Sequence, residues 1–98
     1  MAKTLWKVYL MNKHTQCRVV AIGRTRREAF RKVFNLARPE YRHYVLAGPN
    51  YYNSKHGTDV MWLAAFNDTL AYMRPGTYSA CTEYPNGLGV EIKRVAAY

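Results

Sequence analysis

A four-residue signal in the first half of the chain, Thr25-Arg26-Arg27-Glu28, constrains the fold more than any other local feature. It is a capping box, in which the Thr25 hydroxyl accepts from the Glu28 N–H and the Glu28 carboxylate reaches back to the Thr25 N–H. The signal predicts a helix from Arg26 to Ala37, which Pro39 ends. One face of this helix is predicted to pack on a core; its residues are Ala29, Phe30, Val33, Phe34, Leu36 and Ala37.

The residues before this helix alternate between apolar and polar types, as half-buried strands do. Thr4 to Met11 reads as one strand and Cys17 to Ile22 as the next, with Gly23 ending it. The short polar segment at residues 12–16 predicts that the two strands form an antiparallel hairpin.

The middle of the chain is predicted to hold a strand, a loop and a second helix. Tyr41 to Ala47 alternates as a third strand, and residues 48–57 form a long loop. Thr58 or Asp59 can cap a helix from Val60 to Met73. An alternative reading makes Val60 to Phe66 a buried strand. The apolar stripe of the helix comprises Trp62, Leu63, Phe66, Leu70 and Met73.

The C-terminal residues predict a second hairpin. Tyr78 to Tyr84 and Leu88 to Val95 both alternate, and Pro85-Asn86-Gly87 between them is a strong turn signal. The whole chain, residues 1–98, therefore reads as a single compact α+β domain. Its predicted order is β-β-α-β-α-β-β, with an antiparallel or mixed sheet packed against two helices.

The positive charge is placed unevenly along the chain. Residues 1–47 hold eleven Lys or Arg and two acids, 11 − 2 = +9, whereas residues 48–98 hold four of each, 4 − 4 = 0. Such asymmetry builds a one-sided field that attracts polyanions. The alternative is a solvated surface that only aids solubility, but a balanced surface would serve that purpose equally well.

Arginines on one ridge of the first helix are candidates for phosphate contacts, because a guanidinium fork matches phosphate oxygens. The tyrosines near residues 51–52 lie beside cations, and aromatic faces next to cations can stack unpaired bases or form protein–protein contacts. The predicted nucleic-acid-binding residues are Arg24, Arg27, Arg31, Arg38, Arg42, Tyr51, Tyr52 and Lys55. Solvated arginines and core-packed strand tyrosines are the plainer alternatives.

Other chemistry is weakly indicated. His14 and Cys17 have a spacing that could begin a zinc site, but no second close pair accompanies them, so we predict no metal and no cofactor. Cys17 and Cys81 are expected to be reduced rather than bridged. No nucleophile motif or phosphate-binding glycine loop occurs, so we expect no enzymatic activity. No signal peptide or membrane span is apparent, which predicts a cytoplasmic protein.

Two functions from different classes fit these features. The first is a non-catalytic module that binds DNA or RNA. The second is a small accessory or inhibitor protein, of the kind that phages and mobile elements carry, which binds an acidic surface of a larger protein through its basic and aromatic residues. A structural subunit of a larger assembly is a third reading, which exposed apolar surface on the segment 60–73 would favour.

Overall fold

The computed structural model describes residues 3–13, 16–36, 55–73, 77–84 and 87–97. Four strands and two helices lie in these ranges. In chain order they are β1 (Lys3–Asn12), β2 (Cys17–Gly23), α1 (Arg26–Leu36), α2 (Lys55–Tyr72), β3 (Ser79–Glu83) and β4 (Leu88–Ala97). The strand predicted at Tyr41 to Ala47 lies outside the described residues.

The four strands form one sheet in the order β2-β1-β4-β3, and every neighbouring pair is antiparallel. The central pair is the longest: β1 and β4 match over ten residues, with Val8 opposite Ile92. Both predicted hairpins are confirmed, and so is the α+β class. The sheet is antiparallel rather than mixed across the described strands.

Both helices cover the same face of this sheet. Alternate residues of the central strands are fully buried there, among them Val8, Leu10, Val90 and Ile92. The rings of Phe30 in α1 and Phe66 in α2 stack with centroids 4.2 Å apart, so the two helices also contact each other above the strands. The core therefore lies in one layer between the sheet and the helix pair.

The start of α1 is fixed by its cap and by a close backbone approach. The Glu28 N–H donates to the Thr25 hydroxyl at 3.0 Å, as predicted. The Glu28 carboxylate accepts from the Arg24 N–H at 2.8 Å rather than from Thr25, because the side chain reaches one residue further back. A Cβ on Gly23 would lie 2.5 Å from the Ala29 backbone nitrogen, so β2 and α1 can meet this closely only at glycine.

Two residues predicted for the buried faces are exposed instead. Leu36, in the last described turn of α1, is 68% exposed. Leu63 is 47% exposed. It lies 100° around α2 from the buried Trp62, at the margin of the stripe, whereas Ala65 and Thr69 are the residues that fill the centre.

The second helix starts earlier than predicted, at Lys55 rather than Val60. The glycine at position 57 falls within its first turn, where backbone N–H groups have no intrahelical partner in any case, so it does not mark a loop there. The helical reading of residues 60–72 is confirmed, and the alternative of a buried strand is wrong. None of the helices in the described ranges is long and apolar enough to span a bilayer.

Polar contacts tie α2 to the C-terminal hairpin. The buried Thr69 hydroxyl donates to the Ala65 carbonyl at 2.7 Å and lies 2.8 Å from the Thr82 hydroxyl, which therefore acts as the donor between the two. On the exposed side of the same helix, the Tyr84 hydroxyl donates to Asp68 Oδ2 at 2.7 Å. These bonds fix α2 on β3.

Candidate nucleic-acid interface

The surface of α1 and the residue pair before it carry a concentrated positive charge. Residues 24–36 contain five cations and one acid, 5 − 1 = +4. Most of these cations are exposed. The group is Arg24, Arg26, Arg27, Arg31 and Lys32, with Glu28 the single carboxylate. We call these five cations the α1 basic surface.

The single carboxylate on this surface, Glu28, already has two partners within the protein. Glu28 accepts from the Arg24 N–H and forms an ion pair with Lys32 at 3.4 Å. The hydrogen bond from the Arg24 N–H lowers the pKa of the Glu28 carboxyl below its usual value, and the charge of Lys32 lowers it further. Among the residues that the structure describes, no carboxylate pairs with Arg27 or Arg31. Both guanidinium groups are therefore candidates to donate hydrogen bonds to an external anion.

Arg26 is held in place instead of extending into solvent. Its guanidinium carbon lies 5.2 Å from the centroid of the Trp6 ring, and its Nη1 is 3.9 Å from the sulfur of Met73. Arg94, which is opposite Trp6 in the β1–β4 register, stacks over the Tyr78 ring at 3.8 Å. Arg26 and Arg94 are thus both held against aromatic rings, Arg26 against Trp6 and Arg94 against Tyr78.

A groove runs between the two helices beside the α1 basic surface. It contains a cavity of about 230 Å³ whose walls are Arg27, Phe30, Arg31, Phe34, Leu63 and Phe66. A second cavity of about 400 Å³ borders Thr25, Arg26, Arg27, Leu70 and Met73. Arg27 borders both, so the two cavities are neighbours along α1. We call them together the α1–α2 groove.

The floor of this groove is aromatic. The Phe34 ring stacks on Phe30 with centroids 5.4 Å apart, and Phe30 in turn stacks on Phe66. Phe34 remains half-buried, so part of its ring faces the groove that it lines. The groove therefore has apolar rings at its floor and, at its rim, the guanidinium groups of Arg27 and Arg31, with which no carboxylate of the described residues forms an ion pair.

A larger and more apolar cavity lies elsewhere, beside β2, which is an outer strand of the described sheet. It has a volume of about 710 Å³. Val20 and Ile22 are 44% and 42% exposed along this edge. The residues around it are Lys7, Val20, Ala21, Ile22, Lys32, Asn35 and Leu36. We call it the β2-edge cavity. Its wall is mostly apolar, and its two lysines, Lys7 and Lys32, give it a preference for an anionic partner.

The predicted binding residues divide into two groups. Arg24, Arg27 and Arg31 lie together and exposed on and before α1. Lys55 is the first residue of α2 rather than part of a loop, which corrects its predicted setting. Arg38, Arg42, Tyr51 and Tyr52 lie outside the described residues.

Sequence reasoning missed Arg26 and the groove-lining Phe34 and Leu63. Phe34 and Leu63 belong to different helices and were assigned to buried faces by their spacing. Arg26 is recognisable as a contact only once Trp6 and Met73 are known to lie beside it. No local pattern in the chain signals these three contacts.

The cysteines are too far apart for an intramolecular bridge. Cys17 is on β2 and Cys81 on β3, which are the opposite edges of the sheet. Three inter-strand steps separate them by about 14 Å, well beyond the ~7 Å limit between the Cα atoms of a disulfide. Cys81 is a free, exposed thiol, whose pKa is raised by desolvation and by the nearby Glu83 and Glu91. Across the described ranges, no three His, Cys, Asp or Glu side chains cluster as metal ligands.

Comparison with known proteins identifies no relative: the chain matches no protein-family model, no curated protein and no solved structure. Functional inference therefore depends on the chemistry of its own residues.

Proposed function

We propose that this protein is a non-catalytic nucleic-acid-binding module that contacts phosphates through the α1 basic surface. The observation that carries the proposal is the pair of exposed arginines, Arg27 and Arg31, which no described carboxylate neutralises. Arginines four residues apart lie on one side of a helix. Each guanidinium can donate two parallel hydrogen bonds to phosphate oxygens.

The charge distribution supports the same proposal at longer range. The whole net charge of +9 arises in residues 1–47, and a one-sided positive field raises the rate of encounter with a polyanion. Contacts to phosphates carry no sequence information by themselves, so the proposed binding is nearly sequence-blind. Arg38, Arg42, Tyr51, Tyr52 and Lys55 remain predicted contributors to the same interface.

We also propose that the protein acts in the cytoplasm. Reducing compartments keep thiols free, and the exposed Cys81 thiol fits such an environment.

A charge-reversal pair tests the phosphate contacts. We expect Arg27→Glu with Arg31→Glu to weaken binding to a labelled oligonucleotide more than tenfold and to make its salt dependence shallower. Losing two phosphate contacts should reduce the log–log slope by about 1.4 for a single strand or about 1.8 for a duplex. Fluorescence anisotropy at about 50 and 200 mM salt measures both quantities.

The matched control is Lys13→Glu with Lys93→Glu. Both lysines are exposed and outside the α1–α2 groove, and the pair changes net charge by the same amount. We expect this control to weaken binding only a few-fold through the overall field. Equal losses in the two variants would show that net charge, and not the α1 basic surface, determines affinity. Absence of wild-type binding even at about 50 mM salt would contradict the proposal.

The β2-edge cavity supports a second candidate function, in which the protein is an accessory or inhibitor that binds an acidic surface of a larger protein. Val20 and Ile22 expose apolar area beside Lys7 and Lys32, a combination that suits an apolar anchor flanked by carboxylates. Ile22→Glu is expected to abolish capture of such a partner from cell extract while leaving oligonucleotide binding unchanged. A captured protein that is lost with Arg27→Glu/Arg31→Glu and retained with Ile22→Glu would contradict this site.

A further inference from the structure

Arg26 differs from the other four cations of the α1 basic surface, because it is half-buried whereas they are exposed. Its guanidinium lies near the Trp6 ring and the sulfur of Met73. An aromatic ring and a thioether attract a cation, but neither neutralises its charge. No carboxylate of the described residues forms an ion pair with Arg26. The fold therefore holds a partly buried positive charge against two uncharged side chains.

This setting of Arg26 favours an anion from outside the protein. Removing a charge from water without a counter-charge costs free energy, and a bound anion offsets that cost by supplying the negative charge. The guanidinium is also held in place by Trp6 and Met73 before any ligand arrives. An anion that meets it therefore orders less side-chain motion than one that meets a freely solvated arginine.

The cavity of about 400 Å³ beside Arg26 is the place where such an anion can enter. Its half-buried walls, Arg26, Leu70 and Met73, form the inner part of the cavity. The exposed residues Thr25 and Arg27 form its mouth. Two guanidinium groups thus border a recess in which no described carboxylate lies.

A recess of this kind suits the end of a nucleic-acid strand better than its middle. The chain leaves an internal phosphodiester on both sides, so that group meets cations on an open surface. A terminal phosphate is attached through a single ester bond and can project into a cavity. It also carries about two negative charges near neutral pH, which matches the two guanidinium groups.

We propose that this cavity binds the terminal phosphate of a nucleic-acid strand, with Arg26 at its inner end and Arg27 at its mouth. The inference rests on the proposed nucleic-acid-binding function and adds the part of the strand that is recognised. Arg27 also borders the smaller cavity, where Arg31 lies. The phosphates that follow the terminal one accordingly run along α1 toward Arg31.

The first test changes the ligand and leaves the protein intact. A hexathymidylate with a phosphate on its 5′ or its 3′ end carries roughly the same total charge as an octathymidylate with hydroxyl ends. We expect one of the phosphorylated hexamers to bind roughly 10- to 150-fold more tightly than the octamer, the factor that charge-assisted hydrogen bonds contribute. Competition against a labelled oligomer, followed by fluorescence anisotropy at about 50 mM salt, compares all three.

The outcomes separate this inference from the proposed function. Tighter binding of either phosphorylated hexamer than of the octamer supports the inference. Equal affinity of the three, or tighter binding of the octamer, overturns it and leaves the phosphate contacts of the proposed function standing. Failure of all three to bind overturns both. Displacement of the phosphorylated hexamer by thymidine monophosphate as readily as by the hexamer itself reassigns the cavity to free nucleotides and overturns the strand end as its ligand.

The second test removes the charge at the inner end of the cavity. Arg26→Gln is expected to abolish the preference, so that the phosphorylated hexamer binds no more tightly than the octamer. The matched control, Arg31→Gln, removes the same charge from outside this cavity. It should weaken both oligomers and retain the preference between them. Loss of the preference in both variants, or in neither, would contradict the role of Arg26. If Arg26→Gln does not fold, the ligand comparison with the wild-type protein still decides.

Discussion

The N-terminal and C-terminal halves of this protein build the same architecture with different surface chemistry. Among the described residues, the N-terminal half is a hairpin followed by a helix, and the C-terminal half is a helix followed by a hairpin. The sheet order β2-β1-β4-β3 places β1 and β4 side by side at the centre, with each helix over its own hairpin. The first half carries the whole net charge of +9 and the second carries none.

The contacts that dock each helix indicate which charges the fold requires. The C-terminal half docks its helix through neutral or single-charge contacts, such as Thr69 with Thr82 and Tyr84 with Asp68. In the N-terminal half, the Glu28–Lys32 pair is the ion pair found within the described residues. The arginines of α1 therefore exceed what helix docking needs, and their surplus charge is what the proposed function explains.

The largest loss of stability is expected at Gly23, where the backbones of β2 and α1 lie close together. Gly23→Ala places a Cβ 2.5 Å from the Ala29 backbone nitrogen, a contact that no side-chain movement relieves. We expect the free energy of unfolding to fall by about 3 kcal/mol. Urea denaturation followed by circular dichroism measures this loss.

The matched substitution in the C-terminal half is Gly89→Ala. Its Cβ would lie 3.1 Å from the flexible Met11 side chain, which can move, so a loss of about 1 kcal/mol is expected. Equal losses in the two variants would contradict the close approach of β2 to α1.

An intermediate loss of stability is expected from removing the N-terminal cap of α1, the signal from which the sequence predicts that helix. Thr25→Ala removes the acceptor of the Glu28 N–H and should cost about 1 kcal/mol of unfolding free energy. Thr25→Ser keeps the hydroxyl and should retain most of the stability. Full stability in the alanine variant would show that the backbone contact at Gly23, and not the cap, fixes where α1 starts.

The smallest loss of stability is expected from removing the hydrogen bond between Tyr84 and Asp68 of α2. The hydrogen bond to Asp68 raises the pKa of the Tyr84 hydroxyl to about 12, with desolvation adding to the shift. Because the folded-state pKa lies above the ordinary value of about 10, the bond stabilises the fold fully below pH 10 and is lost as pH rises through 12. Tyr84→Phe should therefore be less stable than wild type near neutral pH.

The pH dependence provides the control for that substitution. The stability difference between wild type and Tyr84→Phe should shrink as the pH rises above about 10. Urea denaturation at a series of pH values measures it. A difference that stays constant over this range would contradict the Tyr84–Asp68 bond as its source.

The parts of the fold that the sequence predicts are those set by neighbouring residues. The cap at Thr25 and Glu28, and the turn that ends at Gly87 with its positive φ of 91°, are local signals, and both mark the right boundaries. The two hairpins follow, because period-two alternation and short polar gaps lie within a few residues of each other.

The candidate site is less predictable because it depends on contacts between distant residues. Charge asymmetry points to Arg24, Arg27 and Arg31, and the helical period alone predicts that Arg27 and Arg31 are exposed. The groove beside them depends on Phe30 meeting Phe66, 36 positions away, which no local pattern encodes. The spacing predicts Leu63 for the core, because a residue at the margin of an apolar stripe has the same spacing whether or not neighbouring residues bury it.

The most direct test of the account is to map oligothymidylate binding by ¹⁵N chemical-shift perturbation at low salt. The account predicts that shifts concentrate on the amides of α1 and around Leu63, with Ser79–Glu83 of β3 unchanged. They should diminish as salt rises from about 50 to 200 mM. Shifts centred on the C-terminal hairpin, or spread evenly over both halves, would contradict the claim that the surplus charge of α1 forms the binding surface.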